Sequence, residues 1–171
     1  MTITLTEPNR IEDRAELAEL IREYLKPELR QLVSLSGLRV DLEDLVAATL
    51  NNTEAYLPPE GATWLARDAE GRIIAMIFLK MIRKDTAEIK RLYVRPEGRG
   101  RGLAQRLVKN AMDRARDLGA RQIMIDTGQW MTPAISLYRA LGFEEIDRYP
   151  ESENPIELEP FLVYMRRDLT V

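Results

Sequence analysis

The chain has 171 residues, of which 45% are hydrophobic and 31% are charged, with a net charge of −3. This balance indicates one soluble domain with a sizeable core and argues against a general nucleic-acid binder. The sequence contains no cysteine and no histidine, which excludes disulfides, thiolate nucleophiles, Ser-His triads and cysteine or histidine metal sites. Any proton transfer must therefore use Glu, Asp, Tyr, Lys, a terminus or water.

The first third of the chain is predicted to be mainly helical. Residues 2–5 alternate weakly between polar and apolar and could form an edge strand. A helix is expected over residues 9–26, with asparagine as its capping residue, and Pro27 is expected to end it. Residues 28–38 could form a second helix, and a third is predicted over residues 41–50, capped by its aspartate.

Three strands joined by short turns follow, which predicts an antiparallel part of a sheet. They are expected over residues 63–67, 72–82 and 86–94. A βαβ unit comes next, because a glycine-rich loop joins the third of these strands to a helix and a further strand, and such units pair their strands in parallel. The remaining elements are predicted as helices over residues 103–118 and 133–142 and strands over residues 122–127, 143–147 and 161–166.

The loop of residues 96–102 is rich in glycine and arginine. Glycines let the backbone turn successive amide groups toward one point, and the first amides of the following helix lack internal partners. This arrangement favours an anion, usually a phosphate, and Arg99 and Arg101 add positive charge. The alternative is a tight turn with solvated arginines. The spacing matches neither the P-loop nor the dinucleotide-binding fingerprint.

Two segments resemble the signatures of a known family. The run Arg99-Gly-Arg-Gly-Leu-Ala104 is similar to the Arg/Gln-x-x-Gly-x-Gly/Ala pyrophosphate loop of the GNAT family of N-acetyltransferases, and residues 91–96 resemble the family's acyl-CoA-binding strand. Residues 134–143 resemble its second signature, at the family's usual separation. The resemblance covers residues 63–167 and implies a single N-acetyltransferase domain over residues 1–171.

The resemblance implies a fold and a reaction. The fold is an α/β mixed sheet, antiparallel in its N-terminal part and parallel with splayed strands at its centre, flanked by helices. The reaction transfers an acetyl group from acetyl-CoA, as co-substrate and without a metal, to a primary amine of a small molecule, by direct attack in a ternary complex. Loop amides would hold the pyrophosphate, and a strand edge would bind the pantetheine arm as an added strand. The residues implied in binding acetyl-CoA are Leu92, Tyr93, Val94, Arg99, Gly100, Arg101, Gly102, Leu103, Ala104 and Tyr138.

The parity of apolar residues in the strand over residues 86–94 indicates a β-bulge. Ile89 and Leu92 are both apolar, yet they would lie on opposite faces of a regular strand. One extra residue near Lys90 would return both to a single buried face. The alternative is that both faces of the sheet are covered, in which case the parity carries no information.

Tyr138 and Glu88 are the candidate catalytic residues. The family often has a tyrosine near the sulfur atom at the position of Tyr138, whose hydroxyl could protonate the departing thiolate; the alternative is a core tyrosine. Glu88 lies where some members carry a catalytic base, but it could instead pair with Lys90 or bind the acceptor's ammonium group, and a water chain could replace it. Met131 stands where many relatives have asparagine, which removes one expected polar contact.

The sequence leaves the acceptor open. The acidic C-terminal segment and its proline-rich loop over residues 149–160 could attract a cationic amine, gate the acceptor site, form a dimer contact or be a solvated face. Trp130 could line the acceptor pocket or cover the start of a helix. The alternatives to small-molecule acetylation are acetylation of a protein or peptide and a non-catalytic acyl-CoA-binding sensor. We expect no nucleic-acid or membrane partner and a possible homodimer, with the cytoplasm as the default location.

Overall fold

Within residues 2–169, which the computed structural model describes, seven strands form one mixed sheet. The strands are β1 (Thr4–Thr6), β2 (Gly61–Arg67), β3 (Ile73–Arg83), β4 (Thr86–Val94), β5 (Gln122–Gly128), β6 (Glu144–Ile146) and β7 (Leu162–Asp168). Their spatial order is β1-β2-β3-β4-β5-β7-β6. β4 and β5 pair in parallel, and all other neighbouring strands pair antiparallel. The predicted fold class is therefore confirmed.

Four α-helices accompany the sheet in the described part of the chain. They are α1 (Arg14–Ser36), α2 (Leu42–Asn51), α3 (Leu103–Asp117) and α4 (Thr132–Ala140). Short 3-10 turns lie at Thr53–Tyr56, Pro96–Gly98 and Ile156–Phe161. Among residues 2–169, no helix combines the length and the apolar character that crossing a membrane requires.

The predicted helix break at Pro27 is wrong, because α1 continues through it. Leu25 and Leu32 are buried before and after Pro27, so the helix keeps its apolar contacts on both sides of the proline. Pro27 itself is exposed, and water can satisfy the carbonyl group that loses its partner. The helix also begins later than expected: Asp13 rather than Asn9 caps it, accepting a hydrogen bond from an amide of the first turn at 2.8 Å.

Two apolar clusters hold the helices against opposite faces of the sheet. α3 and α4 pack on one face, and the apolar stripe of α3 is buried there. α1 and α2 pack on the other face, against Tyr56 and Phe78. Because helices cover both faces, residues 73–79 of β3 form a continuous apolar run that is buried throughout.

β4 and β5 separate soon after they begin to pair. Their parallel pairing covers only Thr86–Glu88 and Gln122–Met124. The later residues of β4, up to Val94, remain paired with β3 and present a free edge toward β5. This V-shaped opening is the expected splay, and it lies at the carboxyl ends of two parallel strands, where α/β sheets commonly place ligands.

A β-bulge at Arg91 and Leu92 changes which way the side chains of β4 point. β4 has one residue more than β3 between Lys90 and Tyr93, and Arg91 has a φ of 56°. As a result Ile89 and Leu92 both pack in the cluster beneath α3, whereas Lys90 and Arg91 both face the α1 and α2 side. The bulge expected near Lys90 is thus confirmed.

Candidate active site

The loop before α3 has open space beside two of its glycines. Gly100 and Gly102 have φ values of 72° and 69°, and Gly102 is the N-cap of α3 without a side chain to accept hydrogen bonds from the first turn. A Cβ atom on either glycine would meet no atom within 4 Å. Arg99 Nε donates to the Val94 carbonyl at 3.0 Å, which ties the loop to the end of β4. These groups fit a diphosphate, which needs several N–H donors and a positive helix terminus.

A narrow cleft of about 40 Å³ lies in the opening between β4 and β5. Leu92, Met131 and Tyr138 line it together with residues at the end of β5. Tyr138 is only 2% exposed, and its ring packs against Phe143 with the centroids 5.6 Å apart. The structure therefore brings two of the residues predicted from the sequence, Leu92 and Tyr138, to one place.

The hydroxyl of Tyr138 is held in its protonated form. Burial raises the pKa of Tyr138 well above its ordinary value, and Tyr24 and Asp126 raise it further. At neutral pH the group is therefore a donor, suited to giving a proton or a hydrogen bond to an atom in the cleft.

A larger cavity of about 560 Å³ lies beside the cleft, and we call it the α1–α2 cavity. α1 and α2 form its walls with the C-terminal loop, which we define as residues 147–161. Most of its wall is apolar, with leucines from both helices and Leu158 from the loop. The residues that it shares with the cleft are Tyr24, Lys90, Arg91, Asp126 and Thr127. A molecule in the cavity can therefore reach a group held in the cleft.

A buried cluster of charged side chains lies where β4 and β5 part. Glu88 is fully buried, and its Oε1 lies 2.9 Å from Lys90 Nζ. Lys90 Nζ is also 3.2 Å from Asp126 Oδ2, while Lys80 Nζ is 3.6 Å from Glu88 Oε2. Burial alone would lower the pKa of Lys90, but the carboxylates of Asp126 and Glu88 outweigh it and raise the pKa overall. Lys90 therefore stays charged and cannot serve as a base.

Tyr149 joins the two carboxylates of this cluster. Its hydroxyl donates to Glu88 Oε1 and lies 3.0 Å from Asp126 Oδ2. Burial, followed by the charges of Asp126 and Glu88, raises the pKa of Tyr149. Ser152 also approaches Asp126, with Oγ 3.4 Å from Oδ2. Since Tyr149 and Ser152 belong to the C-terminal loop, the cluster fastens that loop over the sheet.

Trp130 lines the α1–α2 cavity. Its Nε1 donates to Glu28 Oε2 at 2.6 Å, and burial raises the pKa of Glu28 although this hydrogen bond opposes the shift. The indole ring lies against Gly128, where a Cβ atom would overlap it. Glycine at the end of β5 therefore leaves the space that the Trp130 ring occupies.

Of the two predicted catalytic residues, Tyr138 and Glu88, only Tyr138 lines the open space of the site. Tyr138 lines the cleft, whereas Glu88 lines neither the cleft nor the α1–α2 cavity. Asp126, near the carboxyl end of β5, lines both and shares the Tyr149 hydroxyl with Glu88. Asp126 is not among the candidate residues predicted from the sequence, although a carboxylate at the end of the second strand of a βαβ unit is a usable signal.

Comparison with known proteins identifies the family. Residues 18–143 match the model of the Acetyltransferase (GNAT) family, and the chain therefore belongs to this family. An uncharacterized N-acetyltransferase of Schizosaccharomyces pombe is 31% identical over 160 residues, which are 93% of this chain and 90% of that protein. The chain is accordingly an acyl-CoA-dependent N-acetyltransferase.

Solved structures share the fold. An acetyltransferase of the GNAT family from Staphylococcus aureus has a TM-score of 0.80 at 23% identity, covering 99% of this chain and 100% of that one. The PaiA N-acetyltransferase from Thermoplasma acidophilum, in complex with coenzyme A, has a TM-score of 0.70 at 20% identity, covering 98% of this chain and 99% of that one.

Proposed function

We propose that the protein transfers an acetyl group from acetyl-CoA to a primary amine of a small molecule, by direct attack within a ternary complex. The observation that carries this proposal is the junction of the cleft and the α1–α2 cavity. At this junction the carboxylate of Asp126 lines both spaces, and the protonated Tyr138 lines the cleft with it. Such a pair can serve the two proton transfers that aminolysis of a thioester requires.

The donor side of the site is formed by the loop and the free edge of β4. The amides of Gly100, Arg101, Gly102, Leu103 and Ala104 would bind the pyrophosphate, while Arg99, whose amide donates to the Pro96 carbonyl at 3.2 Å, would contribute the charge of its side chain. The coenzyme A complex of the PaiA structure supports this use of the fold. The edge of β4 at Leu92, Tyr93 and Val94 would pair with the pantetheine arm, because β5 has diverged and leaves it free. When bound, acetyl-CoA supplies the thioester that the amine attacks.

The acceptor side is the α1–α2 cavity. Its volume of about 560 Å³ lies within the range of small-molecule pockets, roughly 300–1,000 Å³. Walls on three sides, from α1, α2 and the C-terminal loop, favour a small molecule over a peptide, which would need an open groove.

Proton movement follows the contacts of Asp126. Its carboxylate would take the proton released by the amine and pass it to the Tyr149 oxygen, while Tyr149 gives its own proton to Glu88. The proton from Tyr149 would arrive at Glu88 Oε1, which accepts the Tyr149 hydroxyl. Tyr138 would protonate the departing thiolate, and Lys90 would hold both carboxylates in place.

A thiol-release assay with acetyl-CoA tests the proposal. The panel contains small primary amines, amino acids and short peptides, each at the same concentration. We expect release of free coenzyme A with one or more small amines or amino acids. Tight binding of acetyl-CoA without release for any acceptor would identify a sensor, and faster release with peptides than with small molecules would identify a protein acetyltransferase.

A further inference from the structure

We propose that Arg91 binds the carboxylate of the acceptor, so that the substrates are α-amino acids with apolar side chains. This inference rests on the proposed function, because it names the class of amine that the site would acetylate. Three observations carry it: the direction in which the bulge points Arg91, the hydrogen bonds that hold its guanidinium, and the absence of a carboxylate partner within residues 2–169.

The bulge turns Arg91 into the α1–α2 cavity. In a regular strand Arg91 would face the apolar cluster beneath α3, as Ile89 does, but the extra residue places it on the same side as Lys90. Its φ of 56° is uncommon for a residue other than glycine. Such a backbone persists where the surrounding structure enforces it, and it occurs most often at functional sites.

Thr49 of α2 fixes the orientation of the guanidinium. Thr49 Oγ1 accepts from Arg91 Nε at 3.3 Å and from Nη2 at 3.2 Å, while it donates its own proton to the Leu45 carbonyl at 2.9 Å. One edge of the guanidinium is thereby occupied by a neutral oxygen. The other edge, formed by Nη1 and Nη2, remains available for two parallel hydrogen bonds, which is the arrangement that a carboxylate accepts.

Arg91 is the cation of this cavity without a carboxylate partner among the described residues. The other lysine or arginine in the cavity wall, Lys90, is paired with Glu88 and Asp126. Of the carboxylates in the wall, Glu153 pairs with Lys80 and Glu28 accepts from Trp130. A half-buried guanidinium with a free edge favours an anionic group supplied by the ligand.

The position of Arg91 fits a carboxylate that is close to the reacting amine. Arg91 and Asp126 both line the cleft as well as the cavity. A carboxylate on Arg91 therefore leaves an amine on the adjacent carbon near Asp126 and the cleft. The third substituent of that carbon points to the wall formed by leucines such as Leu25, Leu29 and Leu158, which favours an apolar side chain.

Matched acceptors test this inference. L-Phenylalanine and L-leucine are compared with their decarboxylated amines, phenethylamine and isopentylamine, in the thiol-release assay. We expect kcat/KM to be higher for the amino acids by about tenfold or more, because the amines leave Arg91 without a partner. In Arg91→Gln the amino acids should lose this advantage while the amines change little, and the surface variant Arg22→Gln should behave as the unaltered protein.

A second variant tests the inference without a substitution in the bulge itself, where Arg91→Gln could disturb the backbone. Thr49→Val retains Arg91 and removes only the oxygen that orients it, so KM should rise for the amino acids and not for the amines. Equal turnover of amines and amino acids by the unaltered protein, or an equal loss for both in Arg91→Gln, would overturn the inference and leave the proposed function intact. Absence of turnover with every member of the panel would refute both.

Discussion

Glu88→Gln is the substitution whose effect the structure constrains most closely. Glu88 is fully buried, 2.9 Å from Lys90 and 3.6 Å from Lys80, and it accepts the Tyr149 hydroxyl. Glutamine keeps the volume of the side chain but removes the charge. Lys90 then retains Asp126 as its counter-charge, and Lys80 retains Glu153.

Removing one partner of a buried ion pair costs about 3–5 kcal/mol. Because both lysines keep a second carboxylate, we expect the lower end, about 3 kcal/mol. In a domain of this size each kcal/mol lowers Tm by about 2–4 °C, so the expected fall is about 6–12 °C. The measurement is thermal unfolding by calorimetry or circular dichroism.

Glu145→Gln is the matched control. Glu145 pairs with Arg139 on the surface, where the two side chains are 51% and 61% exposed, and such pairs contribute little to stability. Its Tm should stay within about 2 °C of the unaltered protein. If Glu88→Gln unfolds at the same temperature as this control, the buried ion pairs do not contribute as argued. Loss of activity without loss of stability would assign Glu88 to catalysis alone.

Three further predictions concern the reaction. Tyr138→Phe keeps the packing against Phe143 and should lower kcat by tenfold or more, about 1.4 kcal/mol or more of barrier, with the Kd of acetyl-CoA unchanged; an unchanged kcat would remove Tyr138 from the mechanism. Gly102→Val places a branched side chain at a φ of 69° and in the open space at the start of α3, so calorimetry should show acetyl-CoA affinity falling by about tenfold or more. Gly119→Val, with a φ of 89° away from the loop, should lose stability but bind acetyl-CoA normally. Since burial raises the pKa of Tyr138, its protonated form is lost only above its ordinary pKa of about 10, and kcat should not fall between about pH 8 and about pH 10; a fall there would contradict its role as the acid.

Features set by neighbouring residues could be predicted from the sequence. The parity of Ile89 and Leu92 indicated the bulge, and the glycines at residues 98, 100 and 102 indicated the start of α3. Both depend on a few consecutive residues and on backbone geometry. The family signatures then related these local features to the sheet, which the strand pairing confirms.

Features set by distant residues could not be predicted in this way. Pro27 marks a helix end by local rules, yet burial on both sides of it keeps α1 continuous. The contact of Tyr149 with Glu88 joins residues 61 positions apart, and the anchoring of Arg91 by Thr49 joins residues 42 positions apart. The periodicity of the sequence does not predict such pairs, because each depends on how the C-terminal loop and α2 pack against the sheet.

The β-bulge in β4 has a consequence for how the protein can evolve. Arg91 and Leu92 are consecutive but lie on opposite sides of the sheet, with Arg91 in the wall of the α1–α2 cavity and Leu92 in the cluster beneath α3. Deleting one residue from the bulge would exchange the directions of these two side chains. Both the cleft and the α1–α2 cavity would then be disrupted at once. The helical and looped walls carry no such restriction, so new acceptors are expected to arise by drift in α1, α2 and the C-terminal loop while the length of β4 stays fixed.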